Sequence, residues 1–136
     1  MDQIPECFYR VSAKALVLDE TRTKFLLMRE DNNMRDFPGG WLDFGEDPRE
    51  GIIREFKEEA WIDVVWVNDL PSYFVTSKKP EKYYWIAHVF YETKIKNMDF
   101  ISSKECQEVR FFTKEEAEKV DINPNVVEFL KQFVVG

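Results

Sequence analysis

Glu55, Glu58 and Glu59 stand at spacing i, i+3 and i+4 in a stretch patterned as a helix. On a helix that spacing gathers three carboxylates within about one turn, where they repel one another unless water or cations compensate. Hard divalent cations suit such a site, because Mg²⁺ and Mn²⁺ take oxygen ligands, keep several waters and bridge protein carboxylates to substrate phosphates. Taken alone, three glutamates describe an acidic solvated helix face better than a metal site, because most Glu-rich helix surfaces are of that kind. Other chemistry has little to work with. His88 is the single histidine, and its neighbours Ala87 and Val89 place it in a strand interior, as a packed core side chain. Cys7 and Cys106 are too few and too far apart for a disulfide framework or a zinc site, and read as reduced thiols.

The flanks decide between acidic face and site. Gly40 is followed by five residues and Glu46, then by seven residues and Arg54-Glu55-Phe56-Lys57-Glu58-Glu59, then by two residues and Ile62. This order and spacing closely resembles the Nudix box, G-x5-E-x7-R-E-U-x-E-E-x-G-U with U a bulky apolar residue, at eight of nine specified positions. The departure is Trp61, which stands where the box has its second glycine. A left-handed residue past a helix costs a bulky side chain ~1 kcal/mol or more, so this helix end is expected to close differently and to alter the chain's exit, without loss of a metal ligand.

The resemblance implies a MutT-like Nudix hydrolase, a metal-dependent pyrophosphohydrolase. Such an enzyme cleaves the phosphoanhydride of a nucleoside diphosphate linked to another group. By position it makes Glu55, Glu58 and Glu59 the ligands of Mg²⁺ or Mn²⁺, helped by the backbone carbonyl of Gly39. Glu46 and Arg54 become an ion pair that orients the loop against the helix. The general base is then a box glutamate, Glu58 first, or a glutamate of a later loop, Glu105 second. Arg29, at the end of a strand, is the candidate phosphate clamp. Asn123 and Asn125 precede the last helix; Asn123 is the candidate reader of a base edge and Asn125 the candidate helix cap. Phe37, Trp41, Tyr73, Tyr84 and Trp85 are aromatic and able to stack on a base, with nothing in the sequence to rank them.

The elements that must position these groups follow from period and breakers. Tyr9 to Leu18 and Phe25 to Met28 read as strands around a polar turn, Asp31 to Asp36 as a loop, and Trp41 to Phe44 as a short strand. Asp47, Pro48 and Glu50 make a strong helix start, with the helix running to Ala60. Its apolar arc is Ile52, Ile53, Phe56 and Ala60; Gly51, Glu55, Glu58 and Glu59 share the other, turned toward an open cleft. Val64 to Val67, Tyr73 to Thr76, Tyr83 to Thr93 and Val109 to Phe112 read as further strands, with helices opened by Thr113 and by Asn125. The expected fold is a single α/β domain over residues 1–136, with the α/β/α sandwich around a mixed β-sheet that the resemblance implies.

Composition narrows the partners. A length of 136 residues with 44% hydrophobic content suits one compact core. The formal charge of -7 argues against duplex nucleic acid, which is bound through clustered Lys and Arg, and favours a small nucleotide-type substrate reached through a cation. The first residues lack the basic end and apolar run of a signal peptide, and no stretch reaches membrane-spanning length. The expectation is therefore a cytoplasmic protein with no membrane association, a monomer or homodimer. A non-catalytic Nudix-fold nucleotide-binding or regulatory module is the alternative, and would be expected to lose box carboxylates; a diphosphate-lipid isomerase would want a catalytic cysteine and a longer chain. The box is shared across oxidised nucleoside triphosphates, ADP-ribose-like conjugates, dinucleoside polyphosphates and capped RNA ends, so it does not choose among them.

Overall fold

In the computed structural model, which describes residues 8–135, the elements run β1 (Tyr9–Leu16), β2 (Phe25–Arg29), β3 (Arg35–Asp36), β4 (Gly39–Trp41), α1 (Pro48–Ala60), β5 (Val64–Val67), β6 (Tyr73–Ser77), β7 (Trp85–Ile95), β8 (Glu108–Phe112), α2 (Lys114–Ala117) and α3 (Pro124–Gln132). β1 and β7 lie parallel at the centre of a mixed five-stranded sheet, flanked by antiparallel β4 on one side. The long β7 serves two partners on its other side, β6 along Ile86 to Phe90 and β5 along Thr93 to Ile95. A second sheet has the order β3-β2-β8. This is the expected α/β Nudix-like arrangement. Cys7 lies outside the described residues.

Side-chain alternation explains why β1 and β2 read as continuous apolar runs rather than as half-buried strands. Ala13, Ala15, Val17, Leu26 and Met28 pack in one core with Ile52, Phe56 and Ala60 of α1, whereas Leu16, Phe25 and Leu27 pack in the other with Val126, Phe129 and Leu130 of α3. Both faces are covered, so no position is left for a polar residue without a reason. Phe129 is the hub of the second core, with the rings of Phe25, Phe37, Tyr73, Phe90 and Phe133 all at 4.7–5.3 Å.

Several expectations shift. Arg35 and Asp36, expected in a loop, pair antiparallel with Arg29 and Met28. The strand expected at Trp41 to Phe44 lies instead at Gly39–Trp41, because the two glycines run against β1 rather than simply breaking the chain. A Cβ on Gly39 would lie 2.1 Å from the Ala13 carbonyl oxygen, and its φ of +124° is one that only glycine adopts readily. The central strand starts and ends two residues later than expected, at Trp85 and Ile95. The last helix begins at Pro124, capped by position at Asn123 and not at Asn125, since proline suits the first helical turn.

α1 starts as expected: the Asp47 side chain accepts from the Arg49 N–H at 2.8 Å and Pro48 opens the helix. Its end corrects the expectation for Trp61. Trp61 adopts the left-handed conformation itself, φ 60° and ψ 30°, and the N–H groups of Trp61 and Ile62 return to the carbonyls of Lys57 and Phe56. That closure is the one a glycine would give, so the exit geometry is kept at the expense of local strain. The indole stays 62% exposed, with the Lys57 ammonium over its face. The arcs of the helix also differ: Ile53 is exposed, while Gly51 and Glu59 are buried, Gly51 because Leu42 and Glu46 close over it.

Candidate active site

Two glycines and one helix build the acidic centre. Gly40 leaves room for the Glu55 carboxylate, whose atoms lie 3.1–3.2 Å from where a Cβ would stand. The Gly39 N–H donates to Glu59 Oε1 at 3.0 Å and fixes that carboxylate in place. Glu59 is only 9% exposed, which corrects the outward, solvated orientation expected for it. The third carboxylate arrives from the loop before β8. Ser103 Oγ donates to the Glu59 carbonyl at 2.5 Å, the Ile101 N–H donates to the Ala60 carbonyl at 3.0 Å, and the Glu105 N–H donates back to Ser103 Oγ. The loop is thus fastened to the end of α1, and one carboxylate oxygen from each of Glu55, Glu59 and Glu105 falls within 4.8 Å of the others.

These carboxylates are short of positive charge. Burial pushes Glu59 well above the usual carboxylate range, and burial together with Glu58 and Glu105 raises Glu55 despite the neighbouring Arg54. Glu46 is the opposite case. Arg54 grips it with two hydrogen bonds of 2.8 and 2.9 Å, which with the Asp43 N–H holds its pKa at about 2. The remaining Arg54 donors reach Glu55 at 3.0 Å, Glu58 at 3.1 Å and the Trp41 carbonyl at 3.2 Å. Glu58 is therefore drawn toward the guanidinium and stands outside the group of three, although it still lines the cleft.

The cleft is a cavity of about 440 Å³ that runs from these glutamates to a buried polar wall. Lys14 separates the two ends. Its ammonium lies 3.4 Å from both Asp36 Oδ2 and the Phe37 carbonyl, and although burial opposes its charge, Asp36, Glu59 and Glu30 hold its pKa above the ordinary value. On the far side the Asn123 amide donates to Glu30 at 3.0 Å and to Asp36 at 2.8 Å, and the Asn125 amide donates to Asp36 at 3.1 Å. His88 also lines the cavity, with Nε2 2.9 Å from Ser77 Oγ. Burial, followed by Lys14, lowers its pKa to about 3, so it is a neutral ring at physiological pH.

Placement of the remaining candidates is mixed. Arg29 does not line the cavity: Met28 and Glu30 do, and alternation along the strand turns Arg29 to the other face, across from Arg35 and Glu108. The cavity's cations are Lys14 and Lys79 instead. Asn123 spends both amide hydrogens on carboxylates and so is not free to donate to a base edge. Cys106 is buried beneath the site, where burial lifts its thiol to about 12, which makes it a poor nucleophile. Trp41 lies at the cavity wall, whereas Phe37 and Tyr73 belong largely to the aromatic core. Sequence reading missed Lys14, Glu30 and Asp36. A lone lysine between Ala13 and Ala15 in an apolar strand was the available signal for the first; Glu30 and Asp36 gave none.

A family model described as NUDIX domain matches residues 8–133. No curated protein sequence matches the chain. Among solved structures, the MutT protein from Methanosarcina mazei Go1 is 25% identical, with a TM-score of 0.74 and 95% of each chain covered. A MutT NUDIX hydrolase from Burkholderia pseudomallei is 15% identical, with a TM-score of 0.76, covering 93% of this chain and 99% of that one. An ADP-ribose pyrophosphatase from Streptococcus suis 89-1591 is 21% identical, with a TM-score of 0.67, covering 91% of this chain and 88% of that one.

Proposed function

This chain belongs to the NUDIX domain family and is a Nudix-type hydrolase of phosphorus-containing anhydrides; we propose that its substrate is a nucleoside diphosphate linked to another group, cleaved with Mg²⁺ or Mn²⁺. The observation that carries the proposal is the group formed by Glu55, Glu59 and Glu105, three carboxylates within 4.8 Å of one another on the wall of a cavity. An all-oxygen donor set of this charge fits a hard divalent cation. The cavity volume lies in the range of small-molecule sites, ~300–1,000 Å³. That a protein named an ADP-ribose pyrophosphatase shares the fold is in keeping with a diphosphate conjugate as substrate.

Glu55 and Glu59 would hold the cation, with the Gly39 amide fixing Glu59 in place. When bound, the cation supplies charge neutralisation on the diphosphate and orientation of the attacking water. Glu105 takes the proton of that water as its oxygen bonds to phosphorus and the anhydride P–O bond breaks, releasing the second phosphate with the electron pair. Its exposed carboxylate is close to both other glutamates and has no ion-pair partner among the described residues, whereas Glu58 is engaged by Arg54. Arg54 keeps the loop carrying Glu46 against α1 and steadies Glu55. Lys79, at the cavity wall, is placed to meet a phosphate.

The test is a panel of nucleoside triphosphates, nucleoside diphosphate sugars, ADP-ribose and dinucleoside polyphosphates, incubated with Mg²⁺ or Mn²⁺ and read by product identification. Metal-dependent formation of two phosphorylated products from one class supports the proposal. Binding without cleavage of any of them would replace it with the non-catalytic nucleotide-binding module.

A further inference from the structure

Rings and cations gather where the cavity meets solvent. Trp41, on the edge strand β4, lines the cavity and is 40% exposed, with the Arg10 guanidinium 4.6 Å from its ring centroid. From Trp41 the rings continue away from the cavity. Tyr84 lies 6.3 Å from Trp41 between centroids, and Tyr83 stands edge-on to Tyr84 at 5.4 Å and is 83% exposed. Both tyrosines end the β6–β7 loop, which also carries Lys78, Lys79 and Lys82 against the single carboxylate of Glu81. The Lys82 N–H closes a turn on the Lys79 carbonyl, and Lys79 lines the cavity beside Ser77. Arg10, Lys78, Lys79 and Lys82 have no carboxylate partner among the described residues. In a chain of net charge -7 they are a local reversal of sign. A ring as exposed as Tyr83 gains little from burial, so folding alone does not account for its place, and exposed aromatic surface rimmed by charge marks a binding surface.

We infer that these residues form a track for single-stranded RNA. The 5′-terminal diphosphate enters the cavity, the following bases stack outward on Trp41, Tyr84 and Tyr83, and Arg10, Lys78 and Lys82 meet the phosphates between them. Successive rings interleaved with cations suit a single strand, because every base offers a face to stack and the backbone brings one charge per nucleotide. A duplex would hide the faces that the rings take and would need a broader basic surface than this acidic chain has. A lone nucleotide needs only Trp41 at the cavity wall, whereas Tyr84 and Tyr83 lie beyond it. The inference rests on the proposed hydrolysis of a nucleoside diphosphate derivative, and makes that nucleoside the first of a chain.

The experiment compares an RNA pentamer of adenosines bearing a 5′-triphosphate with ATP, by calorimetry in chelator and in Ca²⁺. Diadenosine tetraphosphate and the pentamer annealed to its complement are further arms. Wild type should bind the single-stranded pentamer about tenfold or more tighter than ATP, with an affinity that falls as salt rises. Tyr83→Ala and Tyr84→Ala should each lower that ratio severalfold, and Lys78→Ala combined with Lys82→Ala should flatten the salt dependence, each in a variant whose thermal melt shows it folded. Equal binding of pentamer and ATP, no binding of the pentamer, the duplex or diadenosine tetraphosphate bound as tightly as the single strand, or a ratio untouched by both tyrosine substitutions would overturn the inference. Selective binding of the pentamer with no Mn²⁺-dependent cleavage at its 5′ end would leave the track standing and remove the proposed hydrolysis. Hydrolysis of nucleotides with no preference for the pentamer would remove the track alone.

Discussion

Glu46, in the loop before α1, and the carboxylates gathered at the end of α1 are treated in opposite ways. Glu46 is half-buried and receives two hydrogen bonds from Arg54. Glu55, Glu59 and Glu105 are gathered with one another, and burial holds Glu59 in a range where it resists ionisation. The first is compensated within the chain and holds structure. The second group is compensated only in part, by one Arg54 hydrogen bond to Glu55 and by Lys14 beside Glu59, which leaves negative charge for an external cation to neutralise. Conservative substitutions on each side of the comparison should therefore differ in kind.

The largest effect is expected at Glu59. Glu59→Gln should lower kcat by ~10²-fold or more by removing a cation ligand, while leaving the fold intact. It should also raise the melting temperature of the metal-free protein at neutral pH. The sign follows from the raised pKa of Glu59: its folded state binds the proton more tightly than the unfolded state, so metal-free stability falls as pH rises above 4.5 toward the folded value. A pH series of melts in chelator checks this, with the decline smaller in the variant. A variant with near wild-type turnover would mean that Glu59 holds no cation.

Glu105→Gln comes next. As the proton acceptor its loss should reduce kcat by ~10²-fold or more with little change in the Mn²⁺ concentration giving half-maximal rate. A large rise in that concentration would make Glu105 a ligand, and return the proton to Glu58. On the compensated side, Arg54→Gln should cost activity about tenfold through a loosened Glu46 loop and should lower stability by ~1 kcal/mol or more, since the pair is part-buried and bidentate. Because Glu46 is held at about 2, its contribution is present above the usual carboxylate range and fades as pH falls toward that value. The smallest effect is at the helix end. Trp61→Gly relieves a left-handed conformation while removing a mostly exposed ring, so stability should stay level or rise by up to ~1 kcal/mol. A clear loss in a thermal melt would show that the indole packs against more than Lys57.

Local rules made much of this legible. The start of α1 and the strand periods followed from cap chemistry and alternation, and the spacing of Glu46, Arg54, Glu55 and Glu59 from the box they resemble. Three kinds of feature did not. The burial of Glu59 depends on the Gly39 amide and on Lys14, which come from other strands. The position of Arg29 turned on one residue of register, enough to move a side chain to the opposite face. The polar wall of Asp36, Asn123 and Asn125 is tertiary throughout: its hydrogen bonds join residues 87 and 89 apart in sequence. Trp61 marks a limit of propensity, since helix closure imposed a conformation that its residue type disfavours.

The central claim is that Glu55 and Glu59, in the carboxylate group they form with Glu105, hold a divalent cation. Its most direct test is a thermal melt of wild type and Glu59→Gln at neutral pH, in chelator and in millimolar Mn²⁺. A cation that binds the folded chain must raise its melting temperature. The account predicts a clear Mn²⁺-dependent rise in wild type that is lost or nearly lost in Glu59→Gln. No rise in wild type, or the same rise in both proteins, would contradict it.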